Sequence, residues 1–301
     1  MKFIALNQYY YYNDLISDLS KLKIAYPDKI SSRFIGNTVS NRAIFMIQIG
    51  KGKKGIILTG GVHGRESINP VVLMAMMEYY AMCLEDEMEA ELFEKKTGIQ
   101  LNAFLEEYTI YMIPLLNPDG YMIALQGFEL IHNQELRNKA EAQGVPFEEW
   151  KANANSIDIN RNFPSKNYVP KFEGDKAGSE LETMALMRVF EEIESEAYID
   201  YHSRGNEIYY YRKQMTDQYN EKALKIARNL QKTTGYSIVK PDLEIETGDT
   251  GGNTVHYYSE VYKKPAITIE TVPELAKFPL ALKYQRIIYS QILYTPFYLN
   301  L

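Results

Sequence analysis

An α/β fold, in one domain spanning residues 1–301, is predicted by three features of this sequence. Strand-like and helix-like segments alternate from end to end, no interval reads as a linker or repeat, and the apolar run before Gly60-Gly61 breaks into a loop followed by a long helix. In such sheets, ligand loops lie at the strand ends. The composition agrees, because 46% hydrophobic and 13% aromatic residues can bury a sizeable core, while 24% charged residues is ordinary for a folded chain.

Taken in order, Leu15, Ile16, Leu19 and Leu22 recur at helical spacing within residues 9–24, and the YPDK that follows is a stop signal. Strands are predicted over 44–49 and 55–59, separated by the turn-forming GKGKKG. A helix rich in Met and Leu follows over about 70–83, then a broken helix over 84–94. The β-branched and aromatic run YTIYMIPLLN reads as a buried strand that stops at Asn117-Pro118-Asp119-Gly120. Residues 126–155 are polar and read as an irregular excursion or active-site wall. Beyond it, helices are predicted over 179–192, 217–234 and 284–294, and strands over 197–202 and 266–270.

Charge and cysteine usage exclude several function classes. The net charge of −6 repels a phosphate backbone, and no basic groove or basic amphipathic helix offsets it, so neither nucleic acid nor membrane is an expected partner. There is no GxGxxG, no GKS or GKT, and no GxSxG elbow. Cys83, the lone cysteine, sits in the apolar run VVLMAMMEYYAMCL and cannot form an internal disulfide, which favours a reducing compartment. With no export signal in MKFIALNQYYYYNDLISDL and no apolar run long enough to cross a bilayer, a cytoplasmic location is expected.

The chemistry concentrates at strand ends. In GGVHGRES, His63 and Glu66 stand three apart directly after a strand, an imidazole and a carboxylate that suit zinc; the alternative is a structural histidine and a helix-capping acid. A catalytic zinc site needs a third ligand, and His202 in AYIDYHSRG also follows an apolar strand. Glu270 closes KKPAITIE, where a carboxylate is paired, exposed at the sheet edge, or held beside a metal as a proton acceptor. In SIDINRNFP, the fork of Arg161 beside the Asn160 amide suits a carboxylate, unless Arg161 pairs with Asp158. Arg65 is either a surface charge or a donor to a carbonyl. The tyrosines at 9–12 and 209–211 read as partly buried sheet or helix faces.

Together, HGRE at 63–66, LNPDGY at 116–121, DINRNFP at 158–164, GSELE at 178–182, DYHS at 200–203 and TIE at 268–270 resemble the zinc carboxypeptidase family in order and spacing over nearly the whole chain. The resemblance implies a mixed, mostly eight-stranded twisted sheet with helices on both faces. It further implies one zinc ion per chain on His63, Glu66 and His202, with Glu270 as base and acid. Arg65 would polarise the scissile carbonyl, and Asn160 and Arg161 would grip a substrate carboxylate. Lys151 occupies the place of a second arginine in the digestive members, keeping charge without the fork. Their mobile tyrosine has no counterpart at Thr247, and Tyr257 or Tyr258 is the candidate substitute in space. WKAN followed by DINRNF is similar to the bacterial branch that cuts γ-D-glutamyl to diamino-acid bonds of cell-wall peptides, so the expected partner is a peptide or muropeptide with a free carboxylate. The alternatives are a C-terminal exopeptidase, a deacylase of N-acyl amino acids, or an inactive zinc-binding scaffold.

Overall fold

Eight strands of the computed structural model, which describes residues 2–246 and 251–301, form one mixed sheet. They are β1 (Ile30–Asn37), β2 (Ala43–Ile49), β3 (Lys54–Thr59), β4 (Tyr108–Ile113), β5 (Ser195–Ser203), β6 (Glu207–Tyr209), β7 (Ser237–Ile238) and β8 (Ala266–Thr271). Their spatial order is β1-β2-β4-β3-β5-β8-β6-β7. The central four, β4, β3, β5 and β8, are mutually parallel, while β1, β2 and β6 join antiparallel.

Alternation along the strands divides the core in two. Ile56 and Leu58 of β3, Ile199 and Tyr201 of β5, and Ile267 and Ile269 of β8 face one apolar cluster. Ile57, Tyr198 and Ala266 face the other. The first cluster is covered by the helices Tyr12–Ala25, Asn69–Cys83, Asp217–Thr234 and Tyr284–Ile292, the second by Leu181–Glu192 and Thr254–Tyr262. Asn69–Cys83 is buried on nearly every side, which explains a sequence with little amphipathic character. It includes Cys83, whose thiol burial pushes up to about 11. Among the described residues no helix is long and apolar enough to cross a membrane.

The topology fixes where ligands gather. From β3 the chain crosses to β4 on one side, and the next central strand, β5, pairs with β3 on the other. The carboxyl ends of β3 and β5 therefore flank a switch point, the crevice where open α/β sheets bind ligands. His63 lies just beyond β3 and His202 near the end of β5.

Several elements differ from the sequence reading. The strand expected to run to Asn117 stops at Ile113, and Asn117 instead starts the helix Pro118–Gln126: its side chain accepts from Gly120 N at 2.8 Å and Pro118 stands at the first turn. The strands β1, β6 and β7 and the helices Leu101–Glu107 and Thr254–Tyr262 were not foreseen.

Candidate active site

Three loops are knitted together beneath the site. The backbone amides of Gly64 and Arg65 donate to the carbonyls of Lys151 and Trp150 at 3.0 and 2.9 Å. The buried Asn117 amide donates to Val62 O at 3.1 Å and Ala152 O at 3.3 Å. A Cβ on Gly64 would run into the carbonyl of Gly120, so only glycine lets these backbones approach. Asp119, at the start of the same helix, accepts from Arg42 Nη1 at 2.5 Å and Ser40 N at 2.9 Å. LNPDGY is thus the rivet that places Lys151 beside His63 and Arg65.

His63, Glu66 and His202 are all buried, and among the described residues they are the group of histidine, cysteine and acidic side chains that gathers ligand atoms, within 4.8 Å of one another. His63 Nδ1 lies 2.6 Å from Glu66 Oε1 and 3.2 Å from His202 Nδ1. His202 Nδ1 is also 3.2 Å from Glu66 Oε2, an oxygen that makes no hydrogen bond. Ligands of tetrahedral zinc at about 2.0–2.1 Å stand about 3.3 Å apart, so these donors have the chemistry and spacing zinc requires.

Each imidazole has a carboxylate near its outer nitrogen. His202 Nε2 is 2.9 Å from Asp200 Oδ2, and His63 Nε2 is 3.3 Å from Asp158 Oδ1. Asp200 is fully buried and accepts from Thr59 Oγ1 at 2.5 Å and from Thr254 Oγ1. A carboxylate on the outer nitrogen turns the inner nitrogen toward a metal and raises its basicity. Burial alone would raise the carboxyls of Glu66 and Asp200, yet the imidazoles beside them hold Glu66 down to about 2 and keep Asp200 below its ordinary value. Burial works against charge on His202 too, but Asp200 and Glu66 together push it well above the usual histidine value. Asp158 is also held low against burial, by His63 and then Lys151, whose Nζ is 3.4 Å away.

Glu270 pairs in register with His202 across β5 and β8, and both side chains line the same cavity. Its Oε2 is buried without a hydrogen bond, and burial pushes the carboxyl up to about 7. A group titrating there can take and return a proton near neutrality.

The cavity, about 400 Å³, runs from Glu270 and His202 to Asn160 and Arg161. Asn160 Oδ1 accepts from Thr254 N at 3.1 Å and its Nδ2 is 3.5 Å from His202 Nε2. Gly252 holds this turn: with φ +73° its carbonyl accepts from Phe163 N at 2.8 Å, and a Cβ there would strike Arg161 O. Glu270 also lines a second cavity, of about 310 Å³, together with Lys151, Arg65, His63 and Glu66. All eight residues singled out by the sequence therefore meet at one place. Asp158 turns to His63 and Lys151 as well as toward the charge of Arg161, so it is more than a structural partner for that arginine.

Two expectations are corrected. Tyr258 is fully buried, its hydroxyl 2.8 Å from Ser195 Oγ, and Tyr257 packs among Phe163, Phe190 and Tyr262, so neither enters the cavity. Thr247 lies outside the described residues. Conversely, Tyr209, Tyr211 and the buried Arg212 line the 400 Å³ cavity, where the tyrosines had read as structural faces. Asp200 was missed too, although the D-x-H spacing on a strand puts both side chains on one face.

A model of the zinc carboxypeptidase domain matches residues 15–283. A γ-D-glutamyl-L-diamino acid endopeptidase of Lysinibacillus sphaericus is 31% identical over 162 residues, 53% of this chain and 39% of that protein. Zinc carboxypeptidase A 1 of Drosophila melanogaster is 24% identical over 273 residues, 87% of this chain and 58% of that one. The chain thus spans about half the length of these curated relatives. The structure of bovine thrombin-activatable fibrinolysis inhibitor superposes with a TM-score of 0.74 at 19% identity, covering 97% of this chain and 96% of the other, a likeness of fold.

Proposed function

The chain belongs to the zinc carboxypeptidase family, and on that footing we propose that residues 1–301 act as one catalytic domain that hydrolyses the γ-D-glutamyl to diamino-acid amide of cell-wall peptides. The observation that carries the hydrolytic reading is Glu270, poised at about 7 between a zinc-type donor set and an arginine-bearing cavity. The bond assignment is supported by the endopeptidase that shares 31% identity. Cytoplasmic action on such peptides belongs to the same proposal and is supported by the lone buried thiol of Cys83.

Each residue then has a task. His63, Glu66 and His202 would hold one zinc ion per chain, which when bound would supply Lewis acidity toward a carbonyl and a water. Glu270 takes the proton of the attacking water and returns it to the leaving amine. Arg65 and Lys151 donate to the carbonyl oxygen as negative charge grows there. Arg161 and Asn160 hold the carboxylate of the leaving residue, fixing which amide meets Glu270. Asp158 and Asp200 orient the two imidazoles.

The discriminating experiment incubates zinc-loaded protein with a mixture of muropeptides and ordinary peptides and identifies products by mass spectrometry. Cleavage between D-glutamate and the diamino acid is expected. Release of single C-terminal residues from ordinary peptides alone would replace this reading with a classical carboxypeptidase. Absence of any product with zinc bound would remove the peptidase assignment.

A further inference from the structure

The second cavity, which shares Glu270 with the first, carries one cation, Arg204, that the proposed reaction does not use. Besides His63, Glu66 and Glu270 it is lined by Arg65, Lys151 and Arg204. Arg204 follows the strand end that carries His202 and Ser203, and it is exposed. Its guanidinium carbon lies 5.5 Å from the centroid of the Phe278 ring, and that of Arg65 lies 4.6 Å from the same centroid. Phe278 thus packs against two guanidinium groups, both of which line the cavity. Arg65 Nε is buried without a hydrogen bond. Glu274 also lines this cavity, is exposed, and makes no ion pair with either arginine among the described residues.

Arg161 lines the first cavity, Arg65 and Arg204 line the second, and Glu270 lines both, so a substrate that spans Glu270 with its leaving residue at Arg161 brings its acyl residue toward Arg204. We infer that Arg204 binds a carboxylate carried by the acyl residue and thereby selects substrates with an acid on each side of the scissile amide. A γ-linked glutamyl residue meets that demand, since its α-carboxylate remains free when its side-chain carboxyl forms the amide. The inference rests on the proposed function for the identity of the acyl residue, but the subsite itself does not. The planar fork of arginine suits a carboxylate, and an exposed charge of this kind acts on specificity more than on raw affinity.

The test compares wild type and Arg204→Gln on two matched pairs. One pair is a γ-D-glutamyl-diamino-acid peptide with the glutamyl α-carboxylate free or amidated; the other is an ordinary peptide with Glu or Gln as the residue before the C-terminal one. Wild type is expected to favour the free acid at least tenfold in kcat/KM, and Arg204→Gln to bring that ratio to within twofold of one. Calorimetric binding of each pair to E270Q and to E270Q with Arg204→Gln gives the same ratio without turnover. Failure to discriminate in whichever pair is cleaved or bound, or a preference that survives Arg204→Gln, overturns the inference. Action on the ordinary pair alone would remove the γ-D-glutamyl reading while the Glu-to-Gln ratio still judges Arg204.

Discussion

His202 and Glu270 stand side by side in register on neighbouring parallel strands, so a residue of the proposed metal site and the proposed proton-transfer carboxylate are set on one rigid piece of sheet. Alternation extends the relationship: two residues upstream, Asp200 braces His202 and Thr268 lines the cavity beside Glu270. A site fixed by strand register is held more tightly than one built on loops, which suits a base that must meet its proton at hydrogen-bond distance.

Replacing Asp200 by Asn keeps an acceptor for Thr59 and removes the charge facing His202 Nε2. Zinc affinity is expected to fall about 10–100-fold, measured by competition with a chromophoric chelator. A variant with native circular dichroism and unchanged affinity would contradict the bracing role.

Zinc bound at the proposed site would compete with a proton. His202 is held well above its ordinary value by Asp200 and Glu66, against the effect of burial, and a ligand imidazole must give up that proton. Apparent zinc affinity should therefore fall as pH is lowered from 8 to 6, approaching about tenfold per unit, with proton release on loading seen as a buffer-dependent heat. A flat profile would count against His202 as a ligand.

A buried carboxyl outside the site sets a second pH response. Asn153 is fully buried; its Oδ1 accepts from Asn155 N at 3.0 Å and Ile157 N at 3.1 Å. Its amide donates to Glu180 at 2.7 Å and Glu182 at 3.3 Å, so the acids of GSELE pin the loop between Lys151 and Asp158. Burial pushes Glu182 up to about 8, with Asp119 and Glu180 adding to the rise. The folded state thus holds a proton that the unfolded chain releases, and stability from this group is lost as pH rises from about 4.5 toward 8. Glu182→Gln should flatten this decline, worth on the order of a few kcal/mol, in urea melts at pH 5 and pH 8. An unchanged slope would remove Glu182 as its source.

Much of this was legible in the sequence because strand ends announce themselves. His63, His202 and Glu270 each follow an apolar run that could only be a central strand, and the helix Asp217–Thr234 has the predicted bounds. The edges were harder. β1, ISSRFIGN, is half exposed and lacks a clean apolar alternation, and β6 has only three residues. The helix Pro118–Gln126 was hidden because Asn-Pro-Asp-Gly is both a turn and a helix start. Tyr209 and Tyr211 line the cavity through the antiparallel placement of β6 beside β8, a tertiary fact that no local pattern carries.

The most direct test of the central claim is turnover by Glu270→Gln with bound zinc measured in the same sample. The amide matches the carboxylate in shape but cannot accept the water's proton. The variant is expected to retain zinc and the wild-type melting profile while kcat drops at least about 100-fold, the scale of general-base catalysis. Near wild-type kcat in a zinc-loaded variant free of contaminating peptidase would contradict the account.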